Sequence, residues 1–306
     1  MKRNDVLIII VAYNSMQWAE RCYSSLRTSN VPCDIITIDN GSTDGTQNFI
    51  RSNYPEVELV ETNENLGFGR ANNIGLQKAI DKGYEYVYLL NQDAWIFPNT
   101  LEKLISFQKR NKQYGILSPM QLDGSEESID KPFLHNIICE GIFRTEFIND
   151  YYFNKKREVY DTHTAPAAHW LISRDCLLSI GGFSPSFPHY GEDDNYAQRA
   201  LYHNYKFGII PTAKAIHNRE NRKPDTSKKK QLYNTYIKIL IKSSNPQSPL
   251  YNNARHWGLK FFLRGLKNMD YGYIRLAKEL WKRNKEIDDN TKQTIKGFSF
   301  LKIPMK

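Results

Sequence analysis

Cysteine is scarce in this 306-residue chain: Cys22, Cys33, Cys139 and Cys176 stand far apart, with no CxxC or Cys/His spacing. That excludes a zinc site and a disulfide framework and fits a reducing, cytoplasmic setting. Long apolar runs are missing too. The start, Met1 to Asp5, is charged and leads straight into Val6 to Ala12, which is too short to cross a membrane and lacks a signal-peptide cleavage pattern. Nothing later reaches spanning length, and no internal repeat is visible. The dinucleotide fingerprint GxGxxG is absent. Around Arg70 the glycines fall at Gly67, Gly69 and Gly75, Asn72 stands where the last glycine would be, and no acidic ribose-binding residue follows at the usual distance. This argues against a nicotinamide-dependent oxidoreductase. Acidic residues, finally, are rare at one end. Residues 1–220 carry 22 Lys and Arg against 27 Asp and Glu, and residues 221–306 carry 20 against 6. The net charge of +9 therefore belongs to the tail, which reads as a basic arm directed at an anionic surface.

At 40% hydrophobic and 13% aromatic, the chain has enough apolar surface for one large domain, or one with an appendage. The organising stretch is Tyr86-Val87-Tyr88-Leu89-Leu90-Asn91-Gln92-Asp93-Ala94, an apolar run that ends abruptly in two amides and one carboxylate. It reads as a buried strand delivering Asp93 to the carboxyl edge of a parallel sheet, where ligands of open α/β sheets bind. Val6 to Ala12, Cys33 to Asp39 and Val57 to Glu61 read as further strands, with helices over about Gln17–Thr28, up to about Ser52, and up to about Lys82. This alternation predicts an α/β, mostly parallel, doubly wound sheet. Pro98 to Lys112 reads as the next helix and Tyr114 to Met120 as a strand. Gln121 to His163 loses the pattern and reads as a hairpin or mobile lid. Ala167 to Ser173 is a predicted strand, Arg174 to Ile180 a short helix stopped by Gly181-Gly182, and Lys206 to Ile210 a strand followed shortly by His217.

Candidate chemistry collects at the strand ends. Asp93 suits a magnesium or manganese ion, because hard divalent cations take oxygen ligands and leave room for a substrate's phosphates. Asp39 could accept from the N–H of a pyrimidine base, or simply cap its own turn. Gly67 and Arg70 offer close backbone approach and a cation for a diphosphate. Glu192, Asp193 and Asp194 suit the positive end of a helix dipole, yet three adjacent carboxylates repel one another, so one can have a raised pKa and act as a base. His217 could be a metal ligand or a general base.

Six motifs stand in order: Val11-Ala12-Tyr13-Asn14-Ser15, Ile38 to Gly45, Asn65 to Asn73, Leu90-Asn91-Gln92-Asp93, Gly181-Gly182-Phe183 and Gly191 to Asp194. Together they resemble the family 2 glycosyltransferases of the GT-A fold, and most closely the rhamnosyltransferase-like branch. The resemblance implies a nucleotide-diphosphate sugar donor, with Tyr13, Asn14 and Asp39 at the base and Gly67, Arg70 and Asn73 near ribose and diphosphate. Gln92, Trp170 and Glu192 join this substrate-binding set. It implies Asp93 and His217 as ligands of a divalent Mn or Mg, Asp193 as the base that activates an acceptor hydroxyl, and inversion at the anomeric carbon. Glu192 would orient the acceptor, and Phe187 and Tyr190 would stack on it. Two positions depart from the family pattern: Asn91 replaces the first Asp of the metal motif, and Asn195 replaces an Asp two residues beyond the base. Donors conveying rhamnose on dTDP, or a hexose on UDP, both fit the resemblance.

The tail, 221–306, mixes Trp257, Phe261, Phe262 and Trp281 with Arg and Lys in helical patterns. Such helices suit an anionic bilayer, and docking onto the catalytic domain accounts for them equally well. A lipid-linked saccharide acceptor at the inner face of the membrane fits the first reading, with the protein peripheral there. No RNA-recognition motif accompanies the charge, so nucleic acid is not an expected partner. The alternative function is a catalytically weak sugar-nucleotide or polysaccharide-binding protein on the same fold.

Overall fold

Val6, Ile8 and Ile10 alternate with Leu7 and Ile9 along the first strand, and both sets are buried, in separate apolar clusters. A strand covered on both faces is the middle of a sheet, and the rest of the fold grows outward from it. The computed structural model describes residues 4–139, 141–219, 225–247 and 253–303. Its first half runs β1 (Val6–Ala12), α1 (Met16–Arg27), β2 (Cys33–Asp39), α2 (Thr46–Asn53), β3 (Glu58–Glu61), α3 (Phe68–Lys82), β4 (Tyr86–Asn91), β5 (Ala94–Ile96), α4 (Thr100–Arg110) and β6 (Tyr114–Leu122). These elements match the predicted alternation, apart from the short β5. The α/β class is present, with α1, α2 and α4 covering one face and α3 the other.

Beyond β6 the expected hairpin or lid is a correction. A hairpin survives only as the turn that bridges Leu122 to Ile129, and two helices follow, α5 (Lys131–Cys139) and α6 (Gly141–Tyr152), before β7 (Tyr160–Thr162). Asp130 starts α5, its side chain accepting from the Phe133 N–H at 3.1 Å. Asp130-Lys131-Pro132 is a helix-start pattern that the mixed composition obscures. The chain continues through β8 (His169–Ser173), α7 (Arg174–Ile180), α8 (Glu192–Tyr202) and β9 (Lys206–His217).

The sheet order is β3-β2-β1-β4-β8-β6-β9-β5, with β7 also on β9. From β3 to β4 all neighbours are parallel; β8 then inserts antiparallel between β4 and β6, and β5 and β7 lie antiparallel to β9. The sheet is thus mixed beyond β4. His217 lies not past the strand but at its last position, because β9 runs on from Ile210 to pair with β5, Ala94 opposite His217.

The basic tail forms α9 (Lys228–Ser243), α10 (Ala254–Lys267) and α11 (Tyr271–Ile295) around an apolar cluster of their own. Phe187 is buried in that cluster, a correction to its expected role on the acceptor. The end of the chain returns to the catalytic body: Ser299 bridges to Gly181, and the buried Arg199 donates to Ile180 O, Gly182 O and Ser299 Oγ. The boundary expected at 220/221 lies outside the described residues. On its far side α9 packs on α8, where Asn195 Nδ2 donates to Ser244 O at 3.1 Å. Among the described residues no helix is long and apolar enough to cross a membrane.

Candidate functional site

β1 to β4 deliver their carboxyl ends to one edge, and a cavity of about 1050 Å³ opens there. Val11 lines it from the end of β1, Tyr13 and Asn40 from the loops after β1 and β2, Asn65 to Phe68 and Arg70 from the start of α3, and Asn91, Gln92 and Asp93 from the end of β4. Its other side is built by Pro166 to Ala168, by Pro188 to Asp194, by Arg219, and by one face of α9.

Asp93 is 1% exposed and sits in the two-residue link between β4 and β5. Because β5 pairs with the end of β9, His217 is brought beside it across more than a hundred residues of sequence. His217 Nε2 stands 3.4 Å from Asp93 Oδ1 and 3.4 Å from Asn91 Nδ2. Burial lowers the pKa of His217, and the Asp93 carboxylate offsets this in part. Arg219 Nε donates to His217 Nδ1 at 3.3 Å and lies 3.3 Å from Asp130 Oδ1. Behind this pair stands His169, whose Nε2–H donates to Ile216 O while Tyr88 OH donates to Nδ1, each at 2.9 Å. Burial drives its pKa down to about 3, so it is a neutral structural partner. Sequence reasoning missed both Arg219 and His169; nothing local marks either, since their roles come from strand pairing.

The opposite carboxylates behave differently. Gly191 takes a left-handed φ of 84° to start α8, placing Glu192, Asp193 and Asp194 in its first turn. Glu192 is 4% exposed, and its Oε2 has no hydrogen-bond partner among the described residues. Burial, then the neighbouring Asp193 charge, pushes its pKa well above the usual carboxylate range. Asp193 is raised by burial as well, but the backbone N–H groups of Asp194 and Ala167 and the charge of Arg219 hold it back. The two carboxyls therefore titrate as a pair, both held above the ordinary carboxylate range by burial, with Asp193 the better compensated of the two. Asp194 is engaged elsewhere, accepting from Thr164 Oγ1 at 2.9 Å.

The remaining expected residues divide. Gln92 clasps the Tyr13 backbone, its Oε1 accepting from Tyr13 N–H at 2.6 Å and its Nε2 donating to Tyr13 O at 3.2 Å, and both residues line the cavity. Gly67, at φ 79°, caps α3 beneath Pro188; a Cβ there would come within 2.9 Å of Pro188 O. Arg70 is exposed on the cavity wall and makes no ion pair among the described residues. Four others do not line the cavity. Asp39 is fully buried and takes the capping role, accepting from Gly41 N–H, Ser42 N–H and Gln47 Nε2. Asn14 is spent on the same turn, through Ser42 Oγ and Thr43 N–H. Asn73 pairs with the backbone N–H and O of Phe183 at 2.7 and 2.9 Å. Trp170 is 0% exposed in β8 and packs edge-on against Phe207. Each is held by groups that a loop or the core had to satisfy before a ligand could.

Comparison with known proteins meets this geometry. The family model "Glycosyl transferase family 2" matches residues 7–181, more than half of the chain. The chain belongs to glycosyl transferase family 2. Among its relatives is the N-acetylglucosaminyl-diphospho-decaprenol L-rhamnosyltransferase of Mycobacterium tuberculosis, 27% identical over 241 residues that cover 70% of this chain and 76% of that protein. The dTDP-rhamnosyl transferase RfbF of Shigella flexneri is 21% identical over 215 residues, covering 70% and 69%. In fold, the chain resembles the mannosyltransferase PcManGT of Pyrobaculum calidifontis, solved with GDP-Man and Mn2+. The TM-score is 0.54 at 17% identity, over 96% of this chain and 74% of that one. The protein is thus a GT-A glycosyltransferase of rhamnosyltransferase-like type.

A divalent cation fits the Asp93 corner of this glycosyltransferase in kind. One carboxylate and one neutral imidazole face each other where β4 ends and β9 ends, with Asp93 on the cavity, and among the described residues no third His, Cys, Asp or Glu joins them. Two protein ligands suit a cation that takes its other positions from phosphate oxygens and water. Asn91, where the family motif has Asp, contributes a neutral amide to that corner instead of a second negative charge.

Proposed function

We propose that this glycosyltransferase moves rhamnose from a dTDP donor to a saccharide carried on a lipid diphosphate, with inversion, in the assembly of a cell-surface polysaccharide. The observation that carries the reading is the placement of two different acidic sites on one cavity: Asp93 with His217 at the end of β4, and Glu192 with Asp193 at the start of α8. The names of the two rhamnosyltransferase relatives support the choice of sugar, nucleotide and lipid-linked acceptor.

Asp93 and His217 would hold a divalent Mn or Mg, which when bound neutralises the charge that builds on the leaving diphosphate. Arg70 stands in the first turn of α3, beside the Gly67 backbone, where a cation and helix N–H groups meet the same phosphates. Tyr13, its backbone held by Gln92, walls the nucleotide end. Asp193 takes the proton of the acceptor hydroxyl as that oxygen attacks the anomeric carbon. Glu192, whose pKa burial and the Asp193 charge raise to about 8, orients the acceptor through a hydrogen bond. Attack from the α8 side on a sugar whose diphosphate is anchored on the β4 side is a single displacement, so the anomeric configuration inverts.

A lipid-linked acceptor places the work at the inner face of the membrane. α10 supports peripheral docking there: Leu259, Leu263 and Leu266 are exposed along one face, Arg255, Lys260 and Lys267 flank them, and Ala254–Lys267 holds no Asp or Glu. This is the composition of a helix that lies on an anionic bilayer.

Calorimetric titration with dTDP, UDP and GDP, with and without manganese, tests the donor half. Binding of dTDP that needs manganese and disappears in Asp93→Ala is the expected result. If none of the nucleotides binds under either condition, the chain is a non-catalytic member of its family.

A further inference from the structure

One wall of the cavity comes from outside the segment that the family model matches. Asn234, Ile237, Lys238 and Ile241 line it, and their spacing of i, i+3, i+4 and i+7 places them on a single face of α9. This face is tightly seated on the helix start that carries Glu192 and Asp193. A Cβ on Gly191 would lie 2.9 Å from Ile237 Cγ2 and 3.0 Å from Ile241 Cγ1, and Tyr233 OH donates to His189 O at 2.6 Å. The wall therefore stands next to the helix start that carries the proposed base, on the same cavity as Arg70, Gln92 and Asp93.

The chemistry of the wall is mixed in a particular way. Ile237 and Ile241 present apolar surface, and Lys238, exposed into the cavity, makes no ion pair among the described residues. The carboxyls nearest in the chain on that side are Glu192, whose pKa burial raises to about 8, and Asp193, already compensated by Arg219 and backbone N–H groups. An unneutralised ammonium beside two isoleucines matches an amphiphile that carries a phosphate next to a hydrocarbon chain.

We infer that this face of α9 is the acceptor subsite, with Lys238 binding the phosphate of a lipid-linked acceptor while Ile237 and Ile241 contact the first part of its chain. The inference rests on the glycosyltransfer reading above and adds which part of the molecule selects the acceptor. The basic extension then has two tasks: α10 meets the bilayer, and α9 receives the headgroup drawn from it.

The test compares Lys238→Ala and Lys238→Arg with the unmodified protein, using two acceptors. One is N-acetylglucosamine joined through a diphosphate to a short prenol, and the other is the octyl glycoside of the same sugar. With the diphosphate acceptor, Lys238→Ala should raise KM about tenfold with kcat nearly kept, and Lys238→Arg should restore most of it. With the octyl glycoside neither variant should change KM, and calorimetric dTDP affinity should be the same in all three proteins. Equal losses on both acceptors, a loss of dTDP affinity, or no loss at all would overturn the assignment. If the unmodified protein binds dTDP yet Lys238→Ala transfers normally, only this inference falls. If the unmodified protein transfers to neither acceptor, the glycosyltransfer reading falls and this inference with it.

Discussion

Two acidic corners share the cavity, and they are built to opposite ends. At Asp93 the neighbour is an imidazole kept neutral by burial, a partner that can share a cation. At Asp193 the neighbour is a second carboxylate, and relief comes from backbone N–H groups and Arg219. The first corner is suited to attract positive charge from the medium, the second to hold one proton and release room for another. Carboxylates of the same type acquire different chemistry from what the sheet and the helix start place beside them.

The comparison breaks most visibly at the base. Asp193→Asn removes the proposed base at the start of α8 and should lower transfer by roughly 10³-fold while dTDP binding persists; an assay pairing turnover with calorimetry separates the two corners. A variant that transferred normally would move the base elsewhere.

Glu192→Gln sharpens the same contrast. Since Glu192 holds its proton more tightly in the folded protein than in the unfolded chain, its contribution to stability is complete below the ordinary glutamate pKa. It is lost as pH rises through the raised value. Melting temperature followed against pH should therefore decline between the ordinary glutamate pKa and the raised value of about 8 in the unmodified protein, level off above it, and stay flatter in Glu192→Gln. Transfer should survive within about tenfold, because an amide still donates a hydrogen bond. If instead turnover collapses as in Asp193→Asn, the roles of the two acids are exchanged.

Smaller effects belong to residues away from both corners. Leu259→Gln combined with Leu263→Gln should weaken sedimentation with anionic vesicles by about tenfold and leave turnover of a water-soluble acceptor unchanged. Asn73→Ala should cost about 1–3 kcal/mol in urea unfolding, for the two lost bonds to Phe183, with no change in donor KM. A raised KM there would return Asn73 to the ligand.

The family motifs were visible in the chain, but a motif does not say which of its atoms a ligand can reach. Asp39 and Asn14 carry the residue types that a nucleotide site uses, and both are consumed in holding the loop after β2 against the loop after β1. A turn built from Gly41 to Asp44 leaves backbone N–H groups that need acceptors, and the nearest carboxylate and amide supply them. Trp170 sits in a strand that inserts antiparallel between β4 and β6, so its indole is packed under α8 and not at the sheet edge. Asp93, Gln92, Arg70 and Glu192 reach the cavity because they stand just beyond the ends of strands or at the starts of helices, positions that local pattern identifies well.

What the sequence determined by itself is what acts over a few residues. Apolar runs of strand length, helical spacing between them and polar stops at one end were sufficient for β1 to β4, their helices and the edge where Asp93 emerges. The charge count likewise separated a mildly acidic body from a basic tail. Only the tertiary structure decided what meets across distance. The pairing of β5 with β9 brings His217 to Asp93, and Arg219 follows as the next turn of chain. The docking of α9 on α8 makes the tail a wall of the cavity instead of a separate arm. Such contacts depend on register and packing between segments far apart in the chain, and those forces leave no periodic trace in either segment alone.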